Sequence, residues 1–138
     1  MSLKIKCCVQ MKKLFLFSAL SSLLFLATSC GIGEKEPAFD GNLIIGKWVG
    51  TFDGMDDYWR YDADGTGVNW VPQQDVTEEE GQRFEWEFDE EESRLTQVHI
   101  MDMGGRVPKV YTMTTLNDNL MVYKDQYGNS HSFRRVNK

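Results

Sequence analysis

Three kinds of residue are scarce in this chain of 138 residues, and each scarcity excludes something. Cysteine occurs three times, at Cys7, Cys8 and Cys30, so nothing beyond residue 30 can form a disulfide. Histidine occurs twice, at His99 and His131, without the ligand spacing of a metal site or a convincing Ser-His-Asp arrangement. Basic charge is short as well. The chain carries 15 Lys and Arg against 21 Asp and Glu. Four of the lysines and none of the acids precede Cys30, so the remainder carries −10. A domain that acidic is repelled by phosphates, which argues against nucleic acid and anionic lipid surfaces as partners. No stretch after residue 30 has a helical apolar period of useful length, which leaves a strand-built fold.

The first 30 residues are of another kind. Lys12 and Lys13 precede an apolar run from Leu14 to Ala27, and the small residues Thr28 and Ser29 lead into Cys30. Basic, apolar, then small is the order of a secretory signal. The run is shorter than the ~20 apolar residues of a comfortable bilayer span. Ala27-Thr28-Ser29-Cys30 resembles the lipobox of bacterial lipoproteins, with Ala27 where leucine is usual. The resemblance implies cleavage before Cys30 and acylation of its sulfur, so that the lipid bilayer is a partner through Cys30. Residues 1–29 are then a lipoprotein signal segment, with Met1–Gln10 either an upstream start or a long basic leader. A free periplasmic protein cut elsewhere is the rival reading. Glu34-Lys35-Glu36 and the lack of an aspartate directly after Cys30 favour, by analogy with lipoprotein sorting, the outer membrane of a Gram-negative cell envelope.

Residues 30–42, the cysteine and a stretch with Gly, Pro and charge but no period, read as a flexible tether. Residues 43–138 read as one all-β domain of eight strands: Leu43–Phe52, Asp57–Asp62, Thr66–Val71, Arg83–Asp89, Arg94–Met101, Lys109–Leu116, Leu120–Asp125 and His131–Val136. In the fourth, Phe84, Trp86 and Phe88 alternate with Glu85 and Glu87, the mark of a strand with one wet face. Short turn-rich connections predict an antiparallel up-and-down meander, and closing it into a barrel removes its edges. The one long connection, Pro72–Gln82, holds Thr77 and Glu80 at capping-box spacing before Gly81. It predicts a single helical turn, either a lid over a barrel mouth or a solvated acidic connector.

Gly46-Lys47-Trp48, in the first strand of an eight-stranded meander, resembles the G-x-W signature of lipocalins. The resemblance extends from Leu43 to the C-terminus and to small lipocalin-like bacterial lipoproteins. It implies that Trp48 plugs the closed end of the barrel under an arginine of the last strand. Arg134 and Arg135 are both candidates, and Arg135 shares a face with Phe133 by alternation. The expected function is binding of a small hydrophobic ligand, with Trp59, Trp70, Phe84, Trp86, Phe88, Tyr111, Met113 and Phe133 as candidate lining residues. The alternative is a filled barrel that serves as an interaction module for envelope proteins. No catalytic residue, metal or cofactor is expected, since no activated nucleophile or matched acid–base pair stands out and Asp62-Ala63-Asp64-Gly65 reads as a plain turn.

Overall fold

The computed structural model describes residues 38–137, so the signal segment, Cys30 and residues 30–37 of the tether lie outside the described residues. The described chain is a closed, antiparallel, up-and-down barrel of eight strands in sequence order. They are β1 (Gly46–Phe52), β2 (Met55–Tyr61), β3 (Thr66–Trp70), β4 (Gln82–Asp89), β5 (Arg94–Ile100), β6 (Arg106–Leu116), β7 (Leu120–Lys124) and β8 (Ser130–Arg135). The ring closes where β1 meets β8, Trp48 opposite Arg135 and Val49 opposite Arg134. Among the described residues no helix is long and apolar enough to cross a membrane.

The predicted strands recur with shifted ends, and the three largest shifts have local causes. The first begins at Gly46 rather than Leu43, because Gly41–Ile44 forms a 3-10 turn capped by Asp40, whose carboxylate accepts from Asn42 N at 2.9 Å. Residues 38–42 are therefore not all tether, and Phe39 and Leu43 pack on the core. The second strand starts earlier, at Met55. Asp53 and Gly54 both take positive φ, 51° and 77°, the backbone of a two-residue hairpin turn. The sixth starts at Arg106 and runs through Pro108. Met113 donates its N–H toward β5, to Ser93 O at 2.7 Å. By alternation the Pro108 nitrogen faces away from β5. There β6 has no partner, because its pairing with β7 begins only at Thr112. A proline is tolerated at an edge because no donor is needed.

Inward side chains follow from the ladder. Trp59 is opposite Asn69, Tyr61 opposite Gly67, Phe84 opposite Gly67, and Trp86 opposite Gln97. A bulge in β6 between Met113 and Thr115 lets Met113 and Leu116 both reach the core, where simple alternation would turn one of them out. Gly67 sits under the Phe84 ring: a Cβ there would lie 2.3 Å from Phe84 Cζ and 2.5 Å from the Arg60 carbonyl oxygen. The Gly67→Ala variant should therefore lose about 1–3 kcal/mol in denaturant unfolding; an unchanged midpoint would contradict this packing.

One end of the barrel is plugged. Trp48 is fully buried and its indole N–H donates to Ile44 O at 2.8 Å. The Arg135 guanidinium carbon lies 4.2 Å from the Trp48 ring centroid. Arg135 also donates to the carbonyls of Ile45 (2.9 Å), Asp118 (2.6 Å) and Leu43. Gly46 has φ of 131°, and a Cβ there would sit 2.6 Å from Arg135 Nη1, so the glycine makes room for the guanidinium. The arginine over Trp48 is thus Arg135, whereas Arg134 is exposed on the outer wall.

Candidate functional site

The opposite end is open. The Asp53-Gly54 turn and the β3–β4, β5–β6 and β7–β8 connections surround it, whereas the chain enters the barrel at the plugged end. Inward residues from all eight strands line a cavity of about 590 Å³ at this mouth. Its aromatic floor is Trp59, Tyr123 and Phe133, with Trp59 and Phe133 edge to face at 6.1 Å and Tyr123 and Phe133 5.1 Å apart. Phe84 closes the floor from below, 5.3 Å from Trp59.

Three of the eight residues expected to line a ligand site do so: Trp59, Tyr111 and Phe133. Phe84 and Met113 belong to the filled core. Trp86 and Phe88 point inward toward the plugged end. There Trp86 Nε1 donates to Thr66 O at 3.0 Å, and Phe88 lies beside Gly41. Trp70 requires a correction, because it faces outward. It is opposite Tyr58 in the ladder, stacks on that ring at 5.4 Å, and lies under the Lys47 ammonium at 5.7 Å. Its burial comes from the β3–β4 connection, whose Gly81 lies against Val68 and Trp70 on the outer wall.

That connection departs from the expected single helical turn. A 3-10 turn forms earlier, at Pro72–Gln74, and borders the mouth through Gln74. Thr77 and Glu80 do interact as a capping pair, Oγ1 to Oε2 at 3.1 Å, but they close only a turn, with Gly81 N donating to Glu78 O at 3.4 Å. Glu78 then accepts from Lys47 at 2.7 Å and from Arg60, clasping the loop to the outside of β1 and β2. The Lys47 hydrogen bond, with both cations nearby, holds the Glu78 carboxyl below its ordinary range.

Polar residues that sequence reasoning passed over complete the cup. Gln97 is fully buried and donates through Nε2 to Tyr61 Oη at 2.7 Å. Its Oε1 is left to accept from His99 Nε2 at 3.1 Å, which assigns the ring proton to Nε2. No buried side-chain nitrogen or oxygen among the described residues lacks a partner, and His99 Nδ1 has none in the protein, so this acceptor faces the cavity. Burial, with the Lys109 charge nearby, lowers the His99 pKa to about 4, and the ring is neutral at pH 7. Burial also raises the hydroxyl pKa values of Tyr61 and Tyr123. The signal for these residues was the period of two: Gln97 and His99 share a strand face with Leu95, as Lys109 does with Tyr111 and Asp57 with Trp59.

The depressed His99 pKa has a thermodynamic consequence. The unfolded chain takes up the proton at the ordinary pKa near 6.5, the folded chain only near 4, so protonation favours unfolding. Stability should fall as the pH drops through that window, with a slope from this group approaching about 1.4 kcal/mol per pH unit, and level off below it. The His99→Gln variant should lose that component of the slope; a curve as steep as that of the parent would contradict the buried neutral ring.

Among the described residues no group of three or more His, Cys, Asp or Glu side chains gathers to hold a metal ion. Compared with known protein families, with curated proteins and with solved structures, the chain matches none.

Proposed function

We propose that the protein is a lipid-anchored, lipocalin-like binding protein of the cell envelope that holds a small ligand with an apolar body in the mouth of its barrel. The observation that carries this reading is the division of the barrel into two halves. Around Trp48, Tyr61, Phe84 and Leu95 the interior is filled, while above Trp59 it opens into a cup of about 590 Å³. That volume lies within the usual range of small-molecule sites. The Trp48–Arg135 plug, with Gly46 making room for it, supports the lipocalin resemblance. We assign no catalytic step: the one buried histidine is neutral and engaged with Gln97.

Attachment through acylated Cys30, in the outer membrane, belongs to the same proposal and rests on the sequence from Met11 to Cys30. Replacing Cys30 by Ala should abolish acyl labelling in cells and release the protein from membranes, and continued labelling would refute the anchor.

Native mass spectrometry of the protein purified from its own envelope tests the ligand. A bound small molecule, lost on unfolding, is expected; a preparation with no added mass would contradict the carrier reading. A docking role for the same end has one observation in its favour. Phe52, Met103 and Tyr127, in or beside the mouth connections, are 62%, 98% and 81% exposed. An envelope protein that co-purifies through this rim, with the cup empty, would favour that second reading.

A further inference from the structure

The cup holds one carboxylate and one ammonium among its lining residues, Asp57 and Lys109. Both are inward by register: Asp57 is opposite Gly50 in the β1–β2 ladder, and Lys109 opposite Gln97 in the β5–β6 ladder. They lie on β2 and β6, four strands apart in a closed ring of eight, and so on facing walls. The Asp57 carboxylate is held in place, with Oδ2 accepting from Trp59 Nε1 at 2.7 Å and Oδ1 from Asn69 Nδ2 at 2.5 Å. Asn69 is fixed in turn by donating to Tyr58 O at 3.0 Å. Neither charge has an ion-pair partner among the described residues. The nearby Asp125 is occupied by its own turn, accepting from Tyr127 N and Asn129 N at 2.9 Å each, and by His131 at 3.4 Å.

These facts constrain what can fill the cup. A wholly apolar molecule seated there would strip water from the half-buried Asp57 carboxylate and cover the exposed Lys109 ammonium at the rim without pairing either. A ligand with a cationic end and an anionic end pairs both, and its apolar middle meets Trp59, Tyr111 and Phe133. Separation of the two walls asks for charges at opposite ends rather than on one carbon. Resting on the proposed binding function, we infer that the ligand is a small zwitterion with an aromatic or apolar body, of about dipeptide size, its amine toward Asp57 and its carboxylate toward Lys109. His99 Nδ1, unpaired in the protein and open to the cavity, adds an acceptor for an amide N–H between the two ends.

The test uses four probes: L-phenylalanyl-L-phenylalanine, its N-acetyl form, its C-terminal amide, and the doubly blocked form. Affinities are measured by calorimetry on the protein, with the Trp59 indole N–H signal reporting the site. The free dipeptide should bind at least tenfold tighter than either singly blocked form. Asp57→Asn should erase the preference over the N-acetyl form and keep the preference over the amide; Lys109→Met should do the reverse. Lys109 is exposed and its ammonium has no ion pair among the described residues, so the second variant decides the matter even if the first folds poorly. Equal affinity for all four probes at Trp59 overturns the zwitterion and leaves the cup as a binding site. Preferences that survive both substitutions overturn the assignment of the two charges. Binding of none of the four overturns this inference and the ligand class on which it rests; a small molecule that still co-purifies with the protein would show the cup reading intact.

Discussion

Replacing Trp48 by Ala should lower stability by about 3–5 kcal/mol, the usual range for deleting a buried indole from a core that cannot collapse around the void. The site offers little room to relax. Trp48 is fully buried, its indole N–H is bonded to Ile44 O, and the Arg135 guanidinium lies on its face. Loss of the ring leaves the Ile44 carbonyl without its donor and removes the surface that the 3-10 turn Gly41–Ile44 packs on. For a domain of this size each kcal/mol moves the melting temperature by about 4–8 °C, so a shift of more than 10 °C is expected. A loss below about 1 kcal/mol would mean that Trp48 is not the plug.

Arg135→Ala should be the next most damaging change, at about 2–4 kcal/mol. The guanidinium donates to three backbone carbonyls, those of Leu43, Ile45 and Asp118, and so ties the entry of the chain and the β6–β7 turn to the end of β8. Hydrogen bonds from a charged donor contribute about 1.5–3 kcal/mol each when intact, and the carbonyls left behind regain water only in part. Contact with the indole adds about 0.5–2 kcal/mol. Lysine should not restore the loss, because one ammonium cannot reproduce the planar fan of donors. Arg134→Ala is the control on the outer wall and should fall within about ±0.5 kcal/mol. Since Trp48 and Arg135 touch, the double variant should lose less than the sum of the single losses, whereas strict additivity would argue against the stacked contact. Equal losses from Arg134 and Arg135 would contradict the assignment of Arg135 to the plug.

The closed meander was legible because its determinants are local. Phe84, Trp86 and Phe88 alternate with acids, and glycine- or asparagine-rich turns separate the strands. Trp48 and a last-strand arginine came from the G-x-W resemblance, which left Arg134 and Arg135 both open; the contact across the barrel seam decides for Arg135. What escaped depends on contacts between distant strands. Trp70 is a large aromatic in a barrel strand, yet β3 turns Gly67 and Asn69 inward and Val68 and Trp70 outward. The inversion follows from size: Phe84 and Trp59 already fill the space that β3 faces, and at Gly67 not even a methyl group fits. The outward pair is then sheltered by a loop whose clasp, Glu78 to Lys47 and Arg60, joins residues 18 and 31 apart in sequence. Pro108 lies inside β6 because that segment, paired with β5, is an open edge on its β7 side, which only the three-dimensional register reveals.

The cup shows the same division. Its aromatic lining belongs to a class of residue that sequence reading seeks: Trp59, Tyr111 and Phe133 were found, and Tyr123 of the floor was missed. Its charges were not sought, because an aspartate and a lysine in strands ordinarily face water. Their inward direction was nonetheless written in the period of two, which puts them on the faces of Trp59 and Tyr111.

The four indoles supply the measurement that bears most directly on the binding site. Trp59 lies in the cup, Trp48 in the plug, Trp86 toward the plugged end, and Trp70 on the outer wall. Indole N–H spectra of the protein taken gently from its own envelope should be compared with those of the same protein unfolded, stripped of small molecules and refolded. The Trp59 signal should differ between the two samples while those of Trp48 and Trp70 coincide, and returning the stripped small-molecule fraction should restore the first spectrum. Four coincident indole signals, or a change confined to Trp70, would contradict a ligand in the mouth of the barrel.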